Sequence, residues 1–165
     1  MTHRTVSAAA DIESFTEFVE RLQPMLRNAL VAVVGPDLAG DAVSEALTYC
    51  WQRWDRVREM ENPAGYVWTV GRSKGRDLMK KQSRDQRGRS AWPEVPCASP
   101  PLIEPGLPVA FARLSERQRL AVFLIHGYGW TYREVADFVG VSVPTIQKHA
   151  ERGLAKLQRA LGVSR

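Results

Sequence analysis

TYREVADFVGVSVPTIQKHAERGLAKL, residues 131–157, decides the fold class of this chain. Thr131 followed by Glu134 is a capping-box pattern, which predicts that a helix begins there. Gly140 supplies the backbone freedom for a sharp turn, and Ser142 is a favourable N-cap for a second helix. The stretch therefore predicts a helix, a tight turn and a second helix.

The spacing within this stretch indicates a helix-turn-helix. Ala136 is a small residue where the two helices would cross, Gly140 lies in the turn, and Ile146 is an apolar anchor under the second helix. The polar face of the second helix consists of Thr145, Lys148, His149, Arg152 and Lys156. Because such a helix leads into the major groove with its N-terminal residues, the pattern favours DNA reading. The alternative interpretation is an ordinary solvated pair of helices.

The distribution of charge supports a polyanionic partner more strongly than the net charge of +5 does. Residues 62–82 hold five basic and one acidic side chain, and residues 109–165 hold nine and four. Residues 1–61 are acidic instead, with six basic and ten acidic side chains. Two separate basic segments are typical of a protein that binds nucleic acid at two places.

Hydrophobic periodicity predicts an all-α protein with two small helical domains joined by a proline-rich linker. The predicted segments are a disordered tail (1–10), a helical bundle (11–82), an extended linker (83–108) and a helix-turn-helix domain (109–165). Within the bundle, Pro24 predicts a kink or a break in a first helix that ends near Val34. A second helix is predicted from about Asp37 to Trp54, and Asn62 is the expected N-cap of a third.

The sequence gives no indication of catalysis or of a cofactor. Cys50 and Cys97 form no CxxC motif or Cys/His cluster, so we predict neither a metal site nor a disulfide. No nucleophile–base pair or phosphate-binding loop is apparent, so we predict neither an enzyme nor a small-molecule substrate. No apolar run reaches membrane-spanning length and the N-terminus lacks a signal-peptide core, so we expect a cytoplasmic protein.

Two segments together resemble the extracytoplasmic-function sigma factors of the sigma-70 family, the dissociable initiation subunits of bacterial RNA polymerase. The sequences DAVSEALTYCW (41–51) and NPAGYVWTVGRSKGRDLMKK (62–81) are similar to the family's polymerase-binding and promoter-opening segments. The stretch 114–157 is similar to the helix-turn-helix of its second domain. The resemblance implies core RNA polymerase and promoter DNA as partners, and an anti-sigma factor as a common regulator.

The resemblance also implies roles for individual residues. Polymerase binding would fall on Asp41, Ser44, Glu45, Thr48 and Trp51. Contacts to the minus-10 element would fall on Arg72, Ser73, Arg76, Lys80 and Lys81, beside a loop at 58–64 that would border an unstacked base. Contacts to the minus-35 element would fall on Arg133, Ser142, Thr145, Gln147, Lys148 and Arg152.

Some residues depart from the family pattern, and an alternative function stays open. Ser44 stands where the family usually has Gln, and Gly71 and Ser73 stand where it has Ala and Asn. The helix-turn-helix pattern is shared with LuxR-type proteins. A stand-alone transcriptional regulator, which is not a polymerase subunit, is therefore the alternative hypothesis.

Overall fold

The computed structural model describes residues 2–85 and 106–162, which form helices and turns without a strand. We number the α-helices in chain order. They are α1 (Thr2–Val34), α2 (Pro36–Trp51), α3 (Trp54–Val57), α4 (Pro63–Asp85), α5 (Leu107–Ala112), α6 (Glu116–Val122), α7 (Tyr132–Val139) and α8 (Val143–Leu161). A π-helical turn, Phe123–Gly127, follows α6 directly. The all-α prediction is confirmed.

Helices α1 to α4 form the first module, in which α1, α2 and α4 pack side by side. Leu26 and Leu30 of α1 are fully buried, as are Ala42 and Ala46 of α2. The two alanines let α4 approach closely, and α4 meets them with glycine. A Cβ added at Gly75 would lie only 2.7 Å from Val34 Cγ1, so this helix crossing excludes even a methyl group.

Helices α5 to α8 form the second module, in which the predicted helix-turn-helix is confirmed. Both halves of the capping box between Thr131 and Glu134 are present. Gly140 adopts the left-handed conformation, with φ of 72°. Ala136 and Ile146 are buried, with 1% and 4% of their surface exposed, so they occupy the positions that their spacing predicts.

The first module differs from its prediction at two places. Helix α1 begins at Thr2, so the backbone of residues 2–10 is helical and not a disordered tail. Three consecutive alanines at positions 8–10 have the highest helix propensity, which explains the extension. Pro24 lies inside α1 and does not divide it. Its side chain is exposed, so the ring points away from the packed face.

Some helices of the first module also end at residues other than the predicted ones. Helix α2 ends at Trp51, three residues before the predicted end at Trp54, and Trp54 instead begins the short α3. Asn62 caps α4 as predicted, because its Oδ1 accepts a hydrogen bond of 2.8 Å from the Gly65 amide. Most of the predicted linker, residues 86–105, lies outside the described residues.

The two modules pack directly against each other, which the sequence did not predict. Trp68 of α4 is buried against Phe138 of α7, with ring centroids 5.7 Å apart. Asn62 Nδ2 donates a hydrogen bond of 2.8 Å to the Asp137 carbonyl. A single hydrophobic core therefore runs from α1 through both modules to α8.

We expect Gly75→Ala to lower the free energy of unfolding by about 1 to 2 kcal/mol, measured by urea denaturation. The new methyl group would meet the stiff, β-branched Val34 at 2.7 Å, and this outweighs the gain of about 1 kcal/mol in helix propensity. Gly71→Ala is the matched control. Its methyl group would meet the more flexible end of Leu30 at 3.2 Å, so stability should stay near that of the wild type. A stabilised Gly75→Ala variant would contradict the described crossing.

Candidate nucleic-acid interface

Helix α8 presents a basic face opposite its buried face. Ile146, Ala150 and Leu157 are buried, whereas Lys148 and Arg152 are exposed. Thr145, partly buried, begins the same strip because residues three to four apart share a helix face. Gln147 is also exposed but lies about 100° around the helix from Lys148. The predicted minus-35 residues of α8 therefore occupy one accessible surface, with Gln147 on its flank.

Two further predicted minus-35 residues, Ser142 and Arg133, precede α8 in the chain. Ser142 is the N-cap, as predicted, but its hydroxyl bonds to the Thr145 hydroxyl at 2.8 Å and not to a backbone amide. Arg133 is exposed in the first turn of α7, on the helix that precedes the turn. The hydroxyl groups of Ser142 and Thr145 sit at the N-terminal end of α8, which carries the positive end of the helix dipole and favours anions.

The charges around His149 include a basic residue that the sequence analysis missed. Partial burial lowers the pKa of this imidazole, and the nearby charges of Arg117, Arg152 and Lys148 lower it further. Arg117 belongs to α6, so α6 adds a cation to the basic face of α8. The sequence could not identify Arg117, because helical periodicity does not tell which side of α6 lies next to α8.

The pKa of His149 should change when the charge of Arg117 is removed. Because the folded state binds this proton less well than the unfolded state, the contribution of His149 makes the free energy of unfolding fall as pH falls below about 6.5. We expect an NMR titration of the imidazole to give a higher pKa in Arg117→Gln than in the wild type. Burial is the larger cause, so the recovery should be partial. Arg133→Gln is the control, and an equal rise in that variant would contradict the described cluster.

Helix α4 carries a second basic strip, which the structure brings together as predicted. Ser73, Arg76 and Lys80 are exposed and Arg72 is partly exposed. They line an open cavity of about 320 Å³ together with Thr69 and Asp77. Lys81 is exposed but does not line this cavity. Gly71 points into the core towards Leu30 and Ala46, so its departure from the family pattern is a matter of packing.

The aromatic residues next to this strip are not free platforms for base stacking. Trp68 has only 2% of its surface exposed and packs on Phe138. Tyr66 is partly buried, and burial and its contact with the Tyr49 hydroxyl raise its pKa. In the loop at 58–64, Arg58 pairs with Asp11 at 2.6 Å. Charged and backbone groups therefore dominate this surface.

Helix α2 presents an acidic and polar face to solvent. All five predicted polymerase-binding residues are exposed, namely Asp41, Ser44, Glu45, Thr48 and Trp51. Glu45 lies 3.7 Å from Lys74 of α4, an exposed pair that constrains the face only weakly. Trp51 packs on Phe15 with ring centroids 4.9 Å apart and the ring planes tilted by 49°, and it keeps 40% of its surface exposed. An exposed tryptophan held by a partly buried neighbour is a typical anchor for a protein partner.

The described part of the chain holds no group of three or more His, Cys, Asp or Glu side chains that could bind a metal ion. Its helices include none that is long and apolar enough to cross a membrane. Cys50 is buried, and burial raises the pKa of its thiol to about 11. Cys97 lies outside the described residues.

Comparisons with known proteins agree with this geometry. The family model described as "Sigma-70, region 4" matches residues 107–157, which include α5 to α7 and most of α8. Among solved structures, the sigma factor RpoE in complex with the anti-sigma factor NepR from Bartonella quintana matches with a TM-score of 0.64 and 25% identity. That match covers 93% of this chain and 99% of the other, so it includes both modules. No curated protein sequence matches the chain.

Proposed function

We propose that this chain, which belongs to the sigma-70 family in its extracytoplasmic-function type, brings bacterial core RNA polymerase to specific promoters. The observation that carries the proposal is the exposed basic face of α8, inside the segment that matches sigma-70 region 4. A structural match across both modules supports an initiation factor over a stand-alone regulator. The LuxR-like alternative would need only the second module and is not favoured.

In this proposal α8 reads the minus-35 element from the major groove. Arg152 and Lys148 point away from the core and can reach guanine edges or phosphates, and Gln147 can pair with adenine. Arg133 and the hydroxyl groups of Ser142 and Thr145 would contact the backbone, which fixes the register without reading sequence. Arg117 adds to the positive potential of the same surface.

The first module would have two separate tasks. The exposed face of α2 would dock on the polymerase, with Trp51 as the apolar anchor and Asp41 and Glu45 as charged contacts. The basic strip of α4 would hold the opened strand of the minus-10 element by its phosphates. A base flipped from that strand would lie near the loop at 58–64, at an unstacking cost of a few kcal/mol.

The proposed activity involves no covalent chemistry. Sigma-70 proteins are non-enzymatic transcription factors, and for this chain we propose the same, with action in the cytoplasm where the polymerase is. An anti-sigma protein is part of the proposal, because the matching RpoE structure contains the anti-sigma factor NepR. Two binding modules and a protein regulator would suffice for promoter selection.

The decisive experiment mixes the protein with bacterial core RNA polymerase, separates the complex by size exclusion, and follows it by run-off transcription on genomic promoter fragments. We expect co-elution and promoter-specific transcripts. Failure to co-elute, with duplex binding retained, would overturn the proposal in favour of the stand-alone regulator.

We expect Arg152→Ala to weaken transcription from minus-35-dependent promoters by about fivefold or more, because a specific base contact contributes about 1 to 3 kcal/mol. Polymerase binding should be unchanged, since Arg152 lies on the second module. Arg159→Ala is the matched control. It removes the same charge from the last turn of the same helix, away from the leading end. Loss of polymerase binding in Arg152→Ala would contradict the proposal that the first module binds the polymerase and α8 binds the minus-35 element.

Asp41→Lys should weaken binding to core polymerase by about tenfold or more, measured by fluorescence anisotropy of the labelled protein, because a reversed charge in an interface is repelled. Duplex DNA binding by α8 should persist. Glu20→Lys makes the same change on an exposed position of α1. Equal losses in both variants would indicate a general charge effect, and so would argue against a docking face on α2.

A further inference from the structure

His149 lies at the border between the buried face and the basic face of α8. The imidazole is partly buried, whereas Arg152 on the basic side is exposed. At about 100° per residue, Arg152 lies about 60° to one side of His149, and the buried Ile146 lies about 60° to the other side. Packing therefore anchors an imidazole that is still partly exposed on the surface to which we assign DNA.

A close helix crossing places the start of α6 beside this imidazole. A Cβ added at Gly153 would lie 3.2 Å from Gln118 Cβ and 3.3 Å from the Gln118 carbonyl oxygen, so the two backbones nearly touch there. Lys156 Nζ also donates a hydrogen bond of 3.2 Å to Gln118 Oε1. His149 lies one turn before Gly153, and Arg117 directly precedes Gln118. The crossing therefore explains why the charge of Arg117 acts on His149.

Within the described residues, the charges that act on His149 are all positive. They belong to Arg117 of α6 and to Arg152 and Lys148 of α8. Partial burial is the first cause of the lowered pKa of this imidazole, and the three cations are the second. The imidazole of the free protein is therefore mostly neutral at pH 7, since the ordinary pKa of histidine is about 6.5.

The carboxylates near this cluster have other partners. Glu116, the residue before Arg117, accepts a hydrogen bond of 2.7 Å from Arg76 Nη2 of α4. In α7, Glu134 accepts hydrogen bonds from the backbone and the hydroxyl group of Thr131. Helix α5, which also packs on α8, carries no charged side chain. The positive charge around His149 is therefore left for a ligand to balance.

A backbone phosphate fits this cluster better than the edge of a base does. A phosphate offers only acceptors, and a protonated imidazole donates from both ring nitrogens, whereas a neutral one donates from a single nitrogen. The negative charge of the phosphate also offsets the three cations, which favours the protonated form. A base edge carries no charge and would leave the repulsion between the cations and the proton unchanged.

We propose that His149 and Arg117 together bind one backbone phosphate of the minus-35 duplex, and that His149 takes up a proton when it does so. This inference rests on the proposed function. Helix α6 then holds the DNA directly, and the contact sets the register of α8 in the groove. Because bound DNA increases the affinity of His149 for the proton, the proton must increase the affinity for DNA by the same factor. Promoter affinity should therefore rise as the pH falls from about 8 to about 6.

The test measures binding of the holoenzyme to a duplex that carries the minus-35 region of a promoter it transcribes. The duplex has a dye that is insensitive to pH, and anisotropy is recorded at about pH 6 and about pH 8. The ratio of wild-type affinity to that of His149→Gln removes the pH dependence of the polymerase itself. We expect this ratio to be about three- to tenfold higher at the lower pH, since a change of about one pKa unit corresponds to tenfold.

Two further variants separate the proton from the packing. His149→Arg keeps the positive charge at both pH values, so its affinity should stay high and change by about twofold or less relative to the same reference. It also keeps the inference testable if His149→Gln is unstable. His126→Gln is the matched control, because this exposed histidine follows α6 in the π-helical turn. It should keep the pH dependence of the wild type.

Uncharged methylphosphonate linkages, placed one at a time along the minus-35 duplex, locate the phosphate. One position should remove the gain at low pH in the wild type and leave His149→Gln unchanged. Thermal melts at both pH values check the fold of each variant. Acid unfolding would lower the affinity, so it cannot produce the expected gain.

Equal pH dependence in the wild type and His149→Gln would overturn the inference. A methylphosphonate series with no sensitive position would overturn it too, and so would a His149→Arg variant that is as pH-dependent as the wild type. All three outcomes leave the proposed function intact when the wild-type holoenzyme transcribes. A holoenzyme that does not form or does not transcribe would refute the proposed function and the phosphate contact together.

Discussion

The close approach of α4 to α1 and α2 determines what the first module can present to a partner. Gly75 leaves no room for a methyl group beside Val34, and the alanines of α2 fill the remaining space. Such a contact fixes the rotation of α4 about its axis, because only the glycine side fits against the core. Arg72 and Arg76 must then face outward. The basic strip is therefore a consequence of core packing as much as of charge.

The helix-turn-helix was predictable from sequence because its determinants are local. The capping box at Thr131, the left-handed Gly140 and the buried Ile146 each act within a few residues, so their spacing is sufficient. The two exposed faces of the first module also followed from periodicity. The proposed contacts of these residues with polymerase and promoter stay predictions, since the isolated chain does not test them.

The contacts that sequence analysis missed are those between segments far apart in the chain. Trp68 belongs to the helix that carries the basic strip, but its environment is set by Phe138, which lies in the other module. Glu116 was only a polar residue in a capping box until α6 was placed beside α4. Helical periodicity specifies which side of a helix is buried but not which helix covers it.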